Sequence, residues 1–154
     1  MHAVVPIEEG RTFLHVINFY GQTGARSSKA LKTKNNSWIE TIFELTATIG
    51  HDAAIIIGGD FNDDIFLNPI INNAIESRIW THPRLTYSDS KPCNQLPTYS
   101  KHGEWDNPDK EKPSNLDTIL VTSSFARTLC DSTVHRDLRL STHCAVSCLS
   151  LIHI

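Results

Sequence analysis

Apolar and polar residues alternate in two periods along this chain, and the switches between them mark its elements. The stretches HAVVPI (residues 2–7) and TFLHVINFYG (residues 12–21) are rich in β-branched and aromatic residues. The turn-like EEGR between them makes a hairpin the expected arrangement. Residues 21–36, GQTGARSSKALKTKNN, are polar and read as a loop or a loose helix. SWIETIFELTATIG is the clearest helix: Ser37 and Glu40 match a capping box, Trp38, Ile42, Leu45 and Ile49 share one face, and Gly50 can end it. A continuous apolar run, Ala53–Ile57, then suits a strand buried on both faces. NPIINNAIESR predicts a short helix with Asn68 as its cap and Pro69 at its first position.

Beyond Arg78 the pattern returns to strands. LPTYS reads as a short strand and KHGEWDNPDKEKPSN as a polar loop. LDTILVTS is a strand, SFARTL one or two helical turns, STVHRDLRL extended, and HCAVSCLSLI a final strand. Helices interrupt strands throughout, which predicts an α/β layered fold with mixed strand directions. With 154 residues and no repeat or linker, a single domain is expected.

Composition narrows the function classes. A hydrophobic share of 40% and a charged share of 20% are those of an ordinary globular protein. The net charge of −3 gives no whole-chain attraction to nucleic acid or anionic membrane. Locally, however, Arg11, Arg26, Lys29, Lys32 and Lys34 fall between Gly10 and Ile39 without an acid among them. Such a run is commonly a solvated loop; it also suits a polyanion. The four cysteines, Cys93, Cys130, Cys144 and Cys148, form no C-x-x-C pair, and Cys144 and Cys148 are too far apart along a strand to bridge. They read as reduced thiols, mostly in the core, of an intracellular protein. No apolar run approaches the length of a membrane span.

Four short stretches set polar groups at strand ends: INFYG, GGDFN, SNLDTILV and STHCAV. Singly, each has a plain explanation. Gly58 and Gly59 can make a tight turn, Asp60 and Asp117 can be local caps, and His143 is one of eight histidines.

Taken together and in this order, they resemble the motifs of the endonuclease/exonuclease/phosphatase superfamily. The nearest likeness is to the endonuclease domain found beside reverse transcriptases in non-LTR retroelements. VINFYG resembles the family's N-x-Y strand and GGDFN its G-D-x-N motif. SNLDTILVTSSFA resembles the motif around its second aspartate, and STHCAV its S-D-H terminus. The resemblance runs over about residues 3–150. It implies a partial four-layer α/β sandwich of the DNase I-like type, a mixed sheet with flanking helices, with residues 1–154 forming the C-terminal half of one domain.

The implied activity is metal-dependent phosphodiester hydrolysis, with DNA nicked for retroelement insertion. Hydrolysing an anionic diester needs a positioned water, donors to the phosphate oxygens and a neutralising cation. By resemblance, Asp60 positions and deprotonates the water while Asn62 fixes that arrangement through its amide. His143, paired with Asp117, donates to a phosphate oxygen, and Tyr20 assists at the phosphate or leaving group. Asn18, Gly59, Arg26 and Lys29 fall on the substrate side, Gly59 by letting the backbone approach closely. The implied cofactor is Mg2+ or Mn2+. The implied partners are DNA, the missing first half of the domain and a reverse transcriptase domain in the full-length protein. The implied location is intracellular, in the nucleus.

Two departures from the family bear on activity. The asparagine and glutamate that hold the family's metal belong to a first half that this chain lacks, so the metal site is expected to be incomplete. At the S-D-H terminus, Thr142 stands where the family has an aspartate. The chain alone is therefore expected to be weakly active or inactive. Half a sandwich would also expose an inner sheet face bearing Phe13, His15, Ile17, Ile55 and Ile57. Three other functions fit less of the pattern: a phosphodiesterase of the same superfamily acting on a small phosphate or lipid headgroup, a degenerate fragment without catalysis, and a nucleotide-binding domain built on Gly58 and Gly59.

Overall fold

The structure, a computed structural model, describes residues 1–7, 12–50, 52–86, 97–101, 114–140 and 142–151, with the backbone alone at 85, 86 and 136–140. The expected turn at 8–11, Cys93, most of the expected polar loop at 101–115 and Ser141 lie outside the described residues. No described helix is long and apolar enough to cross a membrane.

The expected hairpin forms. β1 (His2–Ile7) pairs antiparallel with β2 (Thr12–Tyr20). β2 leads through α1 (Lys29–Ile49) to β3 (Ala54–Asp60), which lies parallel to β2. After α2 (Pro69–Glu76), β4 (Trp80–Thr81) and the short α3 (Pro83–Thr86), β5 (Asp117–Thr122) pairs antiparallel with both β3 and β4. The mixed sheet thus runs β1-β2-β3-β5-β4. A single turn, α4 (Ser123–Ala126), leads to a second, two-stranded sheet of β6 (Leu129–Leu140) and β7 (His143–Ser150).

α1 starts earlier than the pattern predicts. Its cap is Ser28, whose hydroxyl accepts from the Leu31 N–H, and Ser37 lies in mid-helix. Polar residues 29–36 are therefore helical. They are tolerated because most of that first part is open to water, and Lys34 stacks its ammonium over Trp38 at 5.0 Å. The buried face is also rotated from the expected one. Asn35, Ile39 and Thr46 are buried, whereas Trp38 is 39% and Leu45 50% exposed. α2 forms as expected, its Asn68 side chain accepting from the Ile70 and Ile71 N–H groups.

Two apolar clusters cover the two faces of the main sheet. On one, Ile17, Phe19, Ile55, Ile57 and Leu120 pack with Ile39 of α1 and Ile71 of α2. On the other, Ala54, Val121, Phe125 and Leu129 pack with Leu14, Ile56, Ile119 and Cys148. This corrects the face assigned to Phe13, His15, Ile17, Ile55 and Ile57, which is the helix-covered one: Ile17, Ile55 and Ile57 are buried there, and Phe13, at 52% exposure, is the residue of that set most open to water. The thiols are corrected in one place. Cys144 is buried and Cys148 half-buried, but Cys130 is exposed.

A buried polar network fastens the start of α3 to β5. His82 is 1% exposed; its Nδ1 accepts from the Arg84 N–H at 3.2 Å, and its Nε2 meets the Thr118 hydroxyl at 2.6 Å. Arg84 donates to Asn115 Oδ1 at 3.1 Å, ahead of β5. Burial, with the Arg84 charge beside it, pushes the His82 imidazole down to about 3. The folded chain therefore keeps His82 neutral while the unfolded chain protonates it near its ordinary value of 6.5. The stabilisation is complete above that value and is lost as pH falls from there toward 3. Against urea, the chain is expected to lose about 2 kcal/mol of stability between about pH 7.5 and about pH 5 from this group. His82→Gln removes that component of the slope. An unchanged slope in the variant refutes it.

Candidate functional site

β3 carries its apolar run into the glycines without a turn. Gly58 and Gly59 remain strand residues, paired with Ile119 and Thr118 of β5. Gly59 has φ +145°, and a Cβ there would overlap the Phe19 carbonyl oxygen of β2. Only glycine lets β2, β3 and β5 stay together this far. The strand then delivers Asp60 directly opposite Asp117, with both side chains on the sheet face that β7 approaches.

The loop beyond Asp60 is fixed by backbone partners. The Gly21 N–H donates to the Asp60 carbonyl and the Phe61 N–H to the Leu116 carbonyl, each at 2.7 Å. Asn62 takes a left-handed φ of 51°, which asparagine tolerates, and its N–H donates to Asp60 Oδ1 at 2.8 Å. Its side-chain amide donates to the Gly21 carbonyl at 3.0 Å. The fully buried Asn35 completes the clamp, donating to the Phe61 carbonyl at 2.9 Å and accepting from the Gln22 N–H at 2.7 Å.

His143 arrives from the other sheet. Its Nδ1 lies 2.8 Å from Asp117 Oδ2, a hydrogen-bonded ion pair when the ring is charged. Nδ1 is thus committed to the carboxylate, leaving Nε2 as the ring's other polar atom. Burial pushes the Asp117 carboxyl above its ordinary range; the hydrogen bond and charge of His143 pull it back, and Asp60 adds to the upward push. Thr98, buried, joins the two strands: its hydroxyl accepts from the Asp117 N–H at 3.0 Å, and its carbonyl from the Cys144 N–H at 2.8 Å. The Tyr99 ring stands edge-on to His143, centroids 5.0 Å apart. Asp60, Asp117 and His143 line a cavity of about 280 Å³ whose apolar side includes Ile119, Ala145 and Val146.

The other expected site residues lie at varying distance from this centre. Tyr20 is level with Asp60 in the β2–β3 register, but its side chain is 66% exposed and is not part of the cavity wall. Asn18 is exposed two residues earlier on β2. Arg26 reaches the site indirectly: its guanidinium lies over the Tyr99 ring at 5.9 Å and donates to Ser114 Oγ at 2.7 Å. Lys29 is exposed on the first turn of α1. Thr142 is half-buried, and its carbonyl accepts from the Ser100 N–H at 2.9 Å. Sequence reading missed Asn35, Thr98 and Tyr99 as site-building residues. The usable signal for Asn35 was its place one turn before Ile39.

Ligand atoms of Asp60, Asp117 and His143 all lie within 4.8 Å of one another. Two facing carboxylates, one of them raised by burial and by its neighbour's charge, are an arrangement that a hard divalent cation relieves. Magnesium-type ions take one or two carboxylates and complete their shell with water and substrate oxygens, so this donor set fits such an ion.

No family model and no curated protein matches this chain. Solved structures do. An AP endonuclease from Archaeoglobus fulgidus superposes with a TM-score of 0.71 at 16% identity, over 97% of this chain and 65% of that one. The Xenopus laevis APE2 catalytic domain gives 0.70 at 17%, over 99% and 55%. The Neisseria 3′ phosphatase NExo, bound to its product DNA hairpin, gives 0.60 at 18%, over 89% and 61%. The fold is therefore a mixed-sheet α/β fold of the DNase I-like type. The chain spans less than two thirds of the length of each of these three structures.

Gly59 gives the sharpest test of this geometry. Gly59→Ala forces either a strained backbone or the parting of β2 from β3. It is expected to cost at least about 2 kcal/mol in urea denaturation, above the usual penalty for a surface substitution. A loss within about 0.5 kcal/mol of zero shows that the strands do not need this approach.

Proposed function

We propose that this chain carries the phosphate-facing half of a metal-dependent DNase I-like phosphodiesterase that nicks DNA. The observation that supports this reading is the convergence of Asp60, Asp117 and His143 in one cavity from three separate segments. The Neisseria structure holding a DNA hairpin supports nucleic acid as the substrate class. The order of the four motifs supports a retroelement endonuclease. In a full-length protein that also carries a reverse transcriptase domain, the nick would be made in nuclear DNA.

The chemistry divides among this chain's residues by environment. Asp60 Oδ1 is held by the Asn62 N–H, leaving Oδ2 to orient the attacking water and accept its proton. Asp117 orients His143 by holding Nδ1, and in the doubly protonated ring Nε2–H can donate to a phosphate oxygen. Asn62 acts by holding the loop and Asp60, because its amide is engaged with Gly21. A divalent cation beside Asp60 and Asp117 would neutralise charge on the diester. Tyr20, Asn18, Arg26 and Lys29 would meet the DNA outside the cavity. Thr142 is a weaker magnesium ligand than a carboxylate, so activity is low for the chain alone and demands much magnesium when the rest of the domain is supplied.

The test is to fuse a first half from an active retroelement endonuclease to this chain and follow nicking of supercoiled plasmid across a magnesium series. The parent fusion is expected to nick, with Asp60→Asn and His143→Ala each slowing it by about 100-fold or more. Thr142→Asp is expected to need less magnesium and to cut faster. A folded fusion that does not nick, with or without Thr142→Asp, refutes the proposal. Equal magnesium midpoints for the two active fusions would show that Thr142 is not the defect.

A further inference from the structure

We infer that His2 and His15 form a second cation site, for a zinc-like ion that prefers imidazole, on the sheet face opposite the catalytic cavity. In the β1–β2 register His2 stands opposite Ile17 and Val4 opposite His15, so the two histidines are diagonal neighbours on one face. That face is the one on which Ile17 and Ile57 pack beneath the helices. Asp60 and Asp117 project from the other. Nothing in the proposed DNA chemistry uses this pair, and the inference stands independently of it.

The geometry is that of two ligands awaiting a shared ion. His2 Nε2 and His15 Nδ1 lie 3.1 Å apart, with ring centroids at 5.3 Å and planes inclined by 23°. One proton can bridge the two nitrogens; a second would set two cations side by side. The His15 ring already binds its proton less readily than an ordinary histidine, through burial first and the His2 charge second. A metal resolves the conflict by taking both lone pairs. Zinc–nitrogen bonds of about 2.0–2.1 Å enclosing an angle near 100° span about this separation. The ion would sit off the line between the nitrogens, and a small pivot of two solvent-facing rings admits it. Water fills its remaining positions. Zn2+, Ni2+ and Cu2+ suit imidazole, whereas Mg2+ prefers oxygen and is rejected.

Such an ion would clip the edge of the fold. β1 is the edge strand of the main sheet, hydrogen-bonded to β2. Its exposed side carries Val4, which is 51% accessible and contributes little packing. A bond from His2 through the metal to His15 ties the start of β1 to the middle of β2 without involving the core.

The experiment is a titration of the 15N-labelled chain with ZnCl2, read from long-range 1H–15N correlations of the histidine rings, with MgCl2 as the comparison. His2 Nε2 and His15 Nδ1 are expected to shift together to metal-bound values and to saturate at about one equivalent. His15→Asn is expected to weaken the response at His2 by about tenfold or more while leaving the metal-free melt unchanged. His2→Asn makes the reciprocal test should the first variant unfold. Shifts confined to His143, His135 or other histidines overturn the inference. So does a His2 response that survives His15→Asn, or a response to magnesium equal to that to zinc. No activity is measured, so failure of the nicking assay does not bear on this outcome.

Discussion

A carboxylate that is to line a cavity cannot be mounted in the core, because its burial without a partner costs too much. It has to be carried to the boundary of the core by something rigid. β3 is that mount. It is paired on both sides, its Ile55 and Ile57 are buried under the helices, and its apolar character ends at the residue before the glycines. Everything at the site depends on the pairing persisting through those glycines. Without a side chain at Gly59, β2 closes onto β3 as far as Tyr20 and Asp60, and β5 stays in register to Asp117. Asp60 therefore meets Asp117 through strand register rather than through a loop that would have to be ordered separately.

The second requirement is to bring His143 across from a different sheet. β6 and β7 form their own ladder, so register alone does not place the imidazole beside Asp117. Residues 98–100 supply the connection. Tyr99 bridges to Ser114 on one side and to His143 on the other, and Thr98 bonds both strands from behind. Thr98, Ser114 and Cys144 are buried, where an unmet donor or acceptor would be expensive. The segment is consequently constrained in two directions at once. Arg26, stacked on Tyr99 and bonded to Ser114, extends the same bracing to the solvent side.

Much of this was legible in the residues, and what was not has physical causes. The hairpin, β3, α2 and the last strands follow from periods that local geometry enforces. The start of α1 was left open between loop and helix because residues 29–36 are mostly polar, and such segments look alike in sequence. Its buried face was misjudged because Trp38 and Leu45 are apolar yet stand outside, while polar Asn35 and Thr46 are inside. Motif order singled out Asp60, Asp117 and His143, which the structure brings together. It could not show what each side chain bonds. Asn62 occupies its motif position, but its amide holds the Gly21 carbonyl. Thr98 sits in an unremarkable PTYS, and nothing in that string announces contact with two strands distant in sequence.

The two aspartates show how one pair of like groups acquires different work. They face each other across an antiparallel pair, and the Asp60 charge opposes ionisation of Asp117. The conflict shows at Asp117, whose carboxyl is pushed up by burial before any neighbour acts. His143 answers it with a hydrogen bond and a charge, and the same contact fixes which ring nitrogen faces the cavity. At Asp60 a backbone N–H holds one oxygen, which leaves the other to face a water or a cation. These surroundings support the proposed division in which Asp117 orients the imidazole and Asp60 faces the water. A cation held by Asp60 and Asp117 would ease the repulsion between their carboxylates.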